Sequence, residues 1–384
     1  MKTLRTLGRK SINGKVCLLR LDLNVIERNP REIYRFRASL PTLKFLLARG
    51  AKVVIVSHRG RPKKADGALS LRPFAEAFAC ELNKNVAFFP HPKAGKRSFD
   101  AHFSRLRWEI ATSPKKLFLL ENIRFFPGEE KNDANLARAL ASLADIYVND
   151  AFAVSHRRNA SVCAVAKLLP SYAGLLLERE LSSLGKATRN PRRPFVILAG
   201  GAKVKEKMEL MRIFRRKADL FLLSGAVANT FFAAQGENIG SSTHEKEFFK
   251  EAKRFASSEK VYLPLDDLRH KGKILDIGPV TADEYARIVL GAKTVLFAGP
   301  PGYYHEKRFA GGTKKMWSAI IERTKDKSAF AVAGGGETVA SLALVGETPD
   351  SLARKRKNIF ISTGGGAMIE FLAGKKLPGV EALK

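Results

Sequence analysis

Short apolar runs that break into a polar or glycine-rich turn recur along the chain, and most of these turns lead into a stretch with helical spacing. Lys15 to Val25 (KVCLLRLDLNV) reads as a buried strand whose end carries Arg20, Asp22 and Asn24 at alternate positions. A period of two places all three on one face. A helix is predicted from about Arg35 to Arg49, then a strand over Ala51 to Val56 that runs into Ser57-His58-Arg59-Gly60-Arg61-Pro62. Lys116 to Leu120 leads into Glu121-Asn122-Ile123-Arg124, and Ala144 to Val148 leads into Asn149-Asp150 and then His156-Arg157. If these strands are parallel, they pool Arg35, His58, Arg61, Arg124 and Arg157 at one sheet edge, where open α/β sheets bind ligands. Guanidinium forks pair bidentately with carboxylate and phosphate, so such a pool suits a small molecule carrying both groups.

The second half repeats the pattern with different turns. Leu169 to Leu184 (LPSYAGLLLERELSSL) reads as an amphipathic helix, and the Pro- and Arg-rich Arg189 to Pro194 then opens a new series of strand, small residues and helix. That marks a domain boundary: a first lobe over 1–168, a connecting helix over 169–188 and a second lobe from 189. The later segments are Phe195 to Gly201, Leu220 to Asn229, Thr294 to Gly302, Ala329 to Thr338 and Asn358 to Ala367, with glycine turns at Gly200-Gly201, Gly334 to Gly336 and Gly364 to Gly366. Glycine turns feeding helices bring backbone N–H groups up to phosphates. None has the spacing GxxxxGK[ST] or GxGxxG, so neither a P-loop nor a dinucleotide fingerprint applies.

In PFVILAGGAKVKEKMEL (Pro194 to Leu210), Lys203 and Lys207 stand four apart just beyond such a turn, which places two ammonium groups on one helix face. The segment reads either as a phosphate site or as an ordinary strand-to-helix turn with a solvated lysine face. Glu337, directly after the triple glycine, reads either as a Mg²⁺ ligand or as a carboxylate favoured by a helix N-terminus.

Composition adds charge to this picture. Lys+Arg 68 against Asp+Glu 37 gives a formal charge of +31, so anionic partners are expected. The basic residues are dispersed, which argues only weakly for nucleic acid and more for a general property of the host proteome, so nucleic acid is not expected as a specific partner. Cys17, Cys80 and Cys163 are far apart and without a metal-ligand pattern, so reduced thiols in the cytoplasm are expected. Lys15, Arg20 and Asp22 interrupt any apolar region near the N-terminus that could act as a signal peptide. The longest apolar stretch, Leu220 to Ala234, contains Ser224, Asn229 and Thr230 and falls short of a membrane span. At 384 residues there is length for two cores.

The motifs RLDLNV, RFRASLPTLKFLL, SHRGRPK, LLENIRFFPGEEKND, YVNDAF, LAGGAKVKEK, DIGP, AGGGET and STGGGA occur in this order along nearly the whole chain. The chain thereby resembles the phosphoglycerate kinase family. That resemblance implies an α/β fold of two Rossmann-like lobes with parallel sheets flanked by helices, and a C-terminal segment over 361–384 that returns to the first lobe. It implies reversible phosphoryl transfer between 1,3-bisphosphoglycerate and ADP, giving 3-phosphoglycerate and ATP, with Mg²⁺ accompanying the nucleotide. It further implies a cytoplasmic monomer.

By position, Asp22, Asn24, Arg35, His58, Arg61, Arg124 and Arg157 would bind 3-phosphoglycerate. Arg35 and Lys203, with Gly336 and Gly366, would serve the moving phosphoryl group. Lys203, Lys207, Gly225, Pro300, His305, Gly335, Gly336, Glu337 and Thr338 would bind nucleotide, and Glu337 would hold the metal.

The chain departs from the family pattern mostly on the nucleotide side. Glu337 stands for an aspartate, Ala298 for the asparagine of WNGP, and His305 for the glutamate that accepts the ribose hydroxyls. Lys205-Glu206 replaces a small residue and an aspartate between the two lysines. In the first lobe Asn159 replaces a histidine and Ala153 a glycine. These changes leave a second reading, a catalytically weakened relative that binds anions or nucleic acid. Arg35 and Lys203 are intact, so activity is expected to persist with altered nucleotide affinity.

Overall fold

The computed structural model describes residues 1–24, 30–92 and 99–384, with the side chains of 30–33 set aside. The chain divides into two compact units, Met1–Leu181 with Lys376–Lys384, and Ser182–Lys375.

The first unit is built on a six-stranded sheet: β1 (Val16–Arg20), β2 (Lys52–Val56), β3 (Val86–Phe89), β4 (Leu117–Leu120), β5 (Ile146–Asn149) and β6 (Ser171–Ala173). The spatial order is β3-β4-β2-β1-β5-β6 and every pairing is parallel. From β1 onward the burial is almost unbroken in β2, β4 and β5. Such continuous apolar runs belong to a parallel sheet covered on both faces. Leu43 and Leu46 of the Pro30–Ala48 helix pack on Leu19, Val53 and Ile55 within the core. Each fully buried aliphatic side chain of this kind contributes about 1.5–3 kcal/mol.

Several boundaries differ from the sequence expectation, among them the helix expected from about Arg35, which begins at Pro30. The first strand stops at Arg20 instead of continuing through Asn24, and Val25 lies outside the described residues. Beyond Arg20 the chain is tied by the Ser57 hydroxyl, which accepts from Leu23 N at 2.8 Å and donates to the Leu21 carbonyl at 2.7 Å. Period-two alternation therefore does not describe Asp22 and Asn24. The helix expected from Leu169 begins at Leu175 and runs to Arg189. Residues 171–173 are instead the edge strand β6, because the Pro170 carbonyl accepts from Tyr147 N at 3.0 Å and Gly174 N donates to the Asn149 carbonyl at 2.8 Å. The helix start is then held by Asp150, whose Oδ1 accepts from Leu176 N and Leu177 N at 2.9 and 3.1 Å.

The second unit carries β7 (Phe195–Ala199), β8 (Leu220–Leu223), β9 (Val261–Tyr262), β10 (Asp267–His270), β11 (Lys273–Ile277), β12 (Thr294–Ala298), β13 (Phe330–Ala333) and β14 (Ile359–Ile361). Its parallel sheet has the order β14-β13-β12-β7-β8-β9, while β10 and β11 form a separate antiparallel pair. The five segments read from the sequence are the five neighbouring strands β14 to β8. Trp317 is fully buried, with its ring 5.1 Å from Phe297 and its Nε1 donating to Ser341 Oγ at 2.9 Å. Residues 362–375 pack within this unit, and the segment that rejoins the first is Lys376–Lys384.

Candidate active site

In the first unit the four strands that end on polar clusters are adjacent: β4, β2, β1 and β5. The strand order reverses beside β1, between β2 and β5, which is where open sheets of this kind leave a crevice. Arg20, His58, Arg124 and Arg157 are delivered from the ends of these four strands. Asp22, buried just beyond β1, lies 3.4 Å from Arg35 Nη1 through Oδ2, and its Oδ1 accepts from Asn24 N at 3.1 Å. Burial alone would raise the Asp22 carboxyl, but Arg35, the Asn24 N–H and Arg20 together hold it below the ordinary aspartate value. It therefore remains a charged acceptor.

His58 is 1% exposed. Burial and the charges of Arg20, Arg124 and Arg157 outweigh the pull of Asp22 and keep its ring well below the ordinary imidazole range. The ring is neutral. Arg124 donates to the Gly60 carbonyl and lies 3.3 Å from Glu130, and burial lowers its own pKa. Asn24 accepts from Gly60 N at 2.8 Å, so its side chain positions the loop after β2. Arg157 Nε donates to His156 Nε2 at 3.3 Å, and Arg61 is exposed on the same loop as His58. Asn122 was read only as part of a motif, yet it ties two of these loops together. Its Nδ2 donates to the Arg59 carbonyl at 2.7 Å, and its Oδ1 accepts from Arg124 N at 3.1 Å. Its full burial is the signal that a sequence cannot carry.

The second unit is built from backbone. Its strand order reverses between β7 and β12, and the turns after these strands interlock. Gly299 has φ +104, and a Cβ there would fall 2.1 Å from the Gly200 carbonyl oxygen. No other residue fits that position. Gly225, at φ +56, opens the Gly225–Gln235 helix against Gly201. The third turn is joined to the others by Thr338, whose Oγ1 accepts from Gly299 N at 2.8 Å. The Gly334–Gly336 and Gly364–Gly366 turns run into the short helices Gly336–Ala340 and Gly366–Leu372. A pocket of about 170 Å³ lies beside these turns, lined by Gly201, Ala202, Gly225, Phe232, Leu275 and Pro300 among others. The sequence reading singled out neither Phe232 nor Leu275, because apolar side chains carry no local mark of a pocket wall.

The two lysines do not share one environment as expected from their spacing. Lys203 precedes the Val204–Phe214 helix as its N-cap and is 74% exposed, whereas Lys207 is 9% exposed. Burial lowers the Lys207 pKa. Glu206 stands between them, 3.3 Å from Lys203 Nζ and 3.9 Å from Lys207 Nζ. Glu337 Oε2 accepts from the Tyr304 hydroxyl at 2.8 Å and lies 3.2 Å from His305 Nε2, with the Tyr304 and His305 rings stacked at 4.3 Å. Tyr304 was not anticipated as a partner of this carboxylate. Among the described residues no group of three or more His, Cys, Asp or Glu side chains is arranged to hold a metal by itself, and no helix is long and apolar enough to cross a membrane.

A family model described as phosphoglycerate kinase matches residues 7–375. The chain belongs to the phosphoglycerate kinase family. It is 39% identical to the phosphoglycerate kinase of Desulfosudis oleivorans over 413 aligned residues, covering 100% of this chain and 99% of that one. Against the Rhodospirillum centenum enzyme the identity is 40%, with 99% of each covered. Among solved structures, phosphoglycerate kinase from Coxiella burnetii superimposes with a TM-score of 0.80 at 31% identity, covering 99% and 98% of the two chains. The Pyrococcus horikoshii enzyme gives 0.82 at 30%, covering 100% and 98%. Family membership carries the function: phosphoryl transfer to and from a carboxyl group, the phosphoglycerate kinase reaction of glycolysis. The binding-only reading is not favoured.

Proposed function

We propose that the first unit binds 3-phosphoglycerate and 1,3-bisphosphoglycerate through Asp22, Asn24, Arg35, His58, Arg61, Arg124 and Arg157. The second unit would bind ATP and ADP through Lys203, Lys207, Gly225, Pro300, His305, Gly335, Gly336, Glu337 and Thr338. The observation that supports this most is the side-by-side order of β4, β2, β1 and β5, which brings three guanidinium groups and a charged Asp22 around His58. The arginines match the carboxylate and phosphate of the glycerate, and ionised Asp22 is suited to accept from its hydroxyl. Phosphoryl transfer asks for position and charge neutralisation and no covalent partner. Arg35 and Lys203 are the cations assigned to the moving group, with Gly336 and Gly366 offering backbone N–H donors.

Glu337 offers the hard carboxylate oxygen that Mg²⁺ takes, and one carboxylate completed by nucleotide phosphates is a usual arrangement for that ion. When bound, Mg²⁺ would screen phosphate charge. His305 occupies the place of a ribose acceptor, so nucleotide affinity is expected to be lower by one hydrogen bond, about 0.5–1.5 kcal/mol. The protein would act as a cytoplasmic monomer. A coupled assay with ATP or GTP, Mg²⁺ and 3-phosphoglycerate tests the reading: turnover is expected, lost on chelation. No rate above background with either nucleotide at millimolar concentration would remove it.

A further inference from the structure

Arg20 is among the largest fully buried side chains of the molecule and has no substrate contact assigned to it. Its Nε donates to Ser161 Oγ at 2.8 Å, its Nη1 donates to the Leu21 carbonyl, and its Nη2 lies 3.3 Å from His58 Nδ1. Ser161 passes the contact on, with its hydroxyl donating to Glu129 Oε1 at 2.7 Å and its N–H to Glu129 Oε2 at 2.9 Å. Glu129 is 1% exposed and its Oε1 lies 3.9 Å from Arg20 Nη2. The guanidinium charge is thus balanced inside the protein by Glu129.

A guanidinium has five N–H donors and no acceptor. The nitrogen of His58 that faces Arg20 must therefore accept, and in a neutral imidazole the proton then resides on the other nitrogen. We infer that Arg20 is a positioning residue that fixes His58 as the neutral tautomer protonated on Nε2, making Nε2–H the donor offered to a substrate oxygen. The inference rests on the assignment of His58 to the glycerate site. The charged groups facing the ring are Arg20, Asp22, Arg124 and Arg157. Asp22 is the one carboxylate among them. At 4.0 Å its Oδ1 is too far from Nδ1 to accept a proton, and it is engaged by Asn24 N. Burial and the three cations supply the rest of the bias against imidazolium.

The test begins with the unaltered chain. A ¹⁵N–¹H correlation spectrum of histidine-labelled protein, with His58 assigned by its loss in H58Q, should show the Nε2–H tautomer unchanged from about pH 6 to about pH 8, where an ordinary histidine titrates. An Nδ1–H tautomer or an imidazolium in that range overturns the inference without any Arg20 variant.

Kinetics of R20Q test the consequence. With the bias gone, the ring donates reliably only when protonated. KM for 3-phosphoglycerate should then rise about 5-fold between those two pH values, the loss of one hydrogen bond, while kcat and KM for ATP stay level. A purely structural role would give a KM without that pH dependence. If R20Q fails to fold, S161A removes one Arg20 partner and should mix the tautomers. Unchanged tautomer and pH-flat KM in the folded variant overturn Arg20's part. The expected tautomer in a chain that binds no 3-phosphoglycerate by calorimetry at either pH overturns the site assignment instead, which separates the two failures.

Discussion

The two units use the same sheet architecture and the same place in it, the point where strand order reverses, yet they prepare it by opposite means. In the first, long cationic side chains are drawn inward and tied by carboxylates and amides: Arg20 by the buried Glu129, Arg124 by the exposed Glu130, two loops by Asn122. In the second, side chains are removed. Gly200, Gly225 and Gly299 let backbone meet backbone, and Lys203, the cation we assign to the moving group, is left largely in solvent. On the proposed assignment, the comparison teaches that a small anion would be recognised by a rigid frame of guanidinium groups. A larger ligand with several phosphates would be met by amide-lined turns and an exposed ammonium.

The largest effect should come from the exposed cation of the second unit. Because Lys203 has little packing to lose, K203A should leave the melting temperature nearly unchanged and lower kcat on the order of 10²-fold, as for removal of one charge-stabilising donor. Steady-state kinetics beside calorimetry checks this. A parallel fall in kcat and rise in KM for the glycerate would place Lys203 with ground-state binding instead.

Next, G299A should strike the interlocked turns. A Cβ at that φ, pressed on the Gly200 carbonyl, should cost about 1–3 kcal/mol of stability in the second unit and weaken nucleotide binding. Glycerate binding by the first unit should persist, and its loss in titration calorimetry would erase the distinction drawn here.

A third effect compares two buried carboxyls. Asp150 in the first unit is pushed up to about 6 and Asp276 in the second to about 7, from 3.8 in each case, by burial. A carboxyl that holds its proton better when folded supports the fold fully below about pH 4. That contribution is lost as pH rises through the folded value, on the order of 3 kcal/mol for Asp150. D150N should flatten the stability of the first unit between about pH 4 and about pH 6, whereas D276N should flatten that of the second up to about pH 7. Urea melts across this range decide it, and an unchanged slope in D150N would show that the proton is bound elsewhere.

The smallest effect concerns Glu206, which sits between the two lysines. E206Q removes a carboxylate that competes with phosphate at a partly exposed position, so nucleotide Kd should tighten about 2- to 5-fold with stability unaltered. A weaker Kd would mean that Glu206 holds the lysines in a useful place.

Strands β1, β2, β4, β5, β7, β8, β12, β13 and β14 and the turns that end them were legible because continuous apolar runs and abrupt turns are local signals, whereas β3, β9, β10 and β11 went unread. Arg35, His58, Arg124 and Lys207 could be named for the same reason. The roles of Ser57, Asn122, Glu129 and Ser161 could not. Each depends on contacts between residues far apart in the chain, as between Ser161 and Arg20 or Asn122 and Arg59. Edge strand β6 was hidden inside a helical pattern, since only its pairing with β5 makes it a strand. The unequal exposure of Lys203 and Lys207 was hidden too, because i, i+4 spacing says nothing about where a helix begins.

The closing residues of the chain lie in the first unit. Gly379 donates to the Ser155 carbonyl at 2.8 Å and accepts from Asn149 Nδ2 at 3.1 Å, at the foot of β5. A Cβ on Gly379 would meet Val162 at 2.6 Å. A ribosome making this protein therefore finishes the amino-terminal unit last: its sheet can be translated early, but its final buttress emerges only after all of Ser182–Lys375. Changes in Lys376–Lys384 are therefore expected to disturb the first unit around Asn149 and Ser155 and to leave the glycine turns of the second intact.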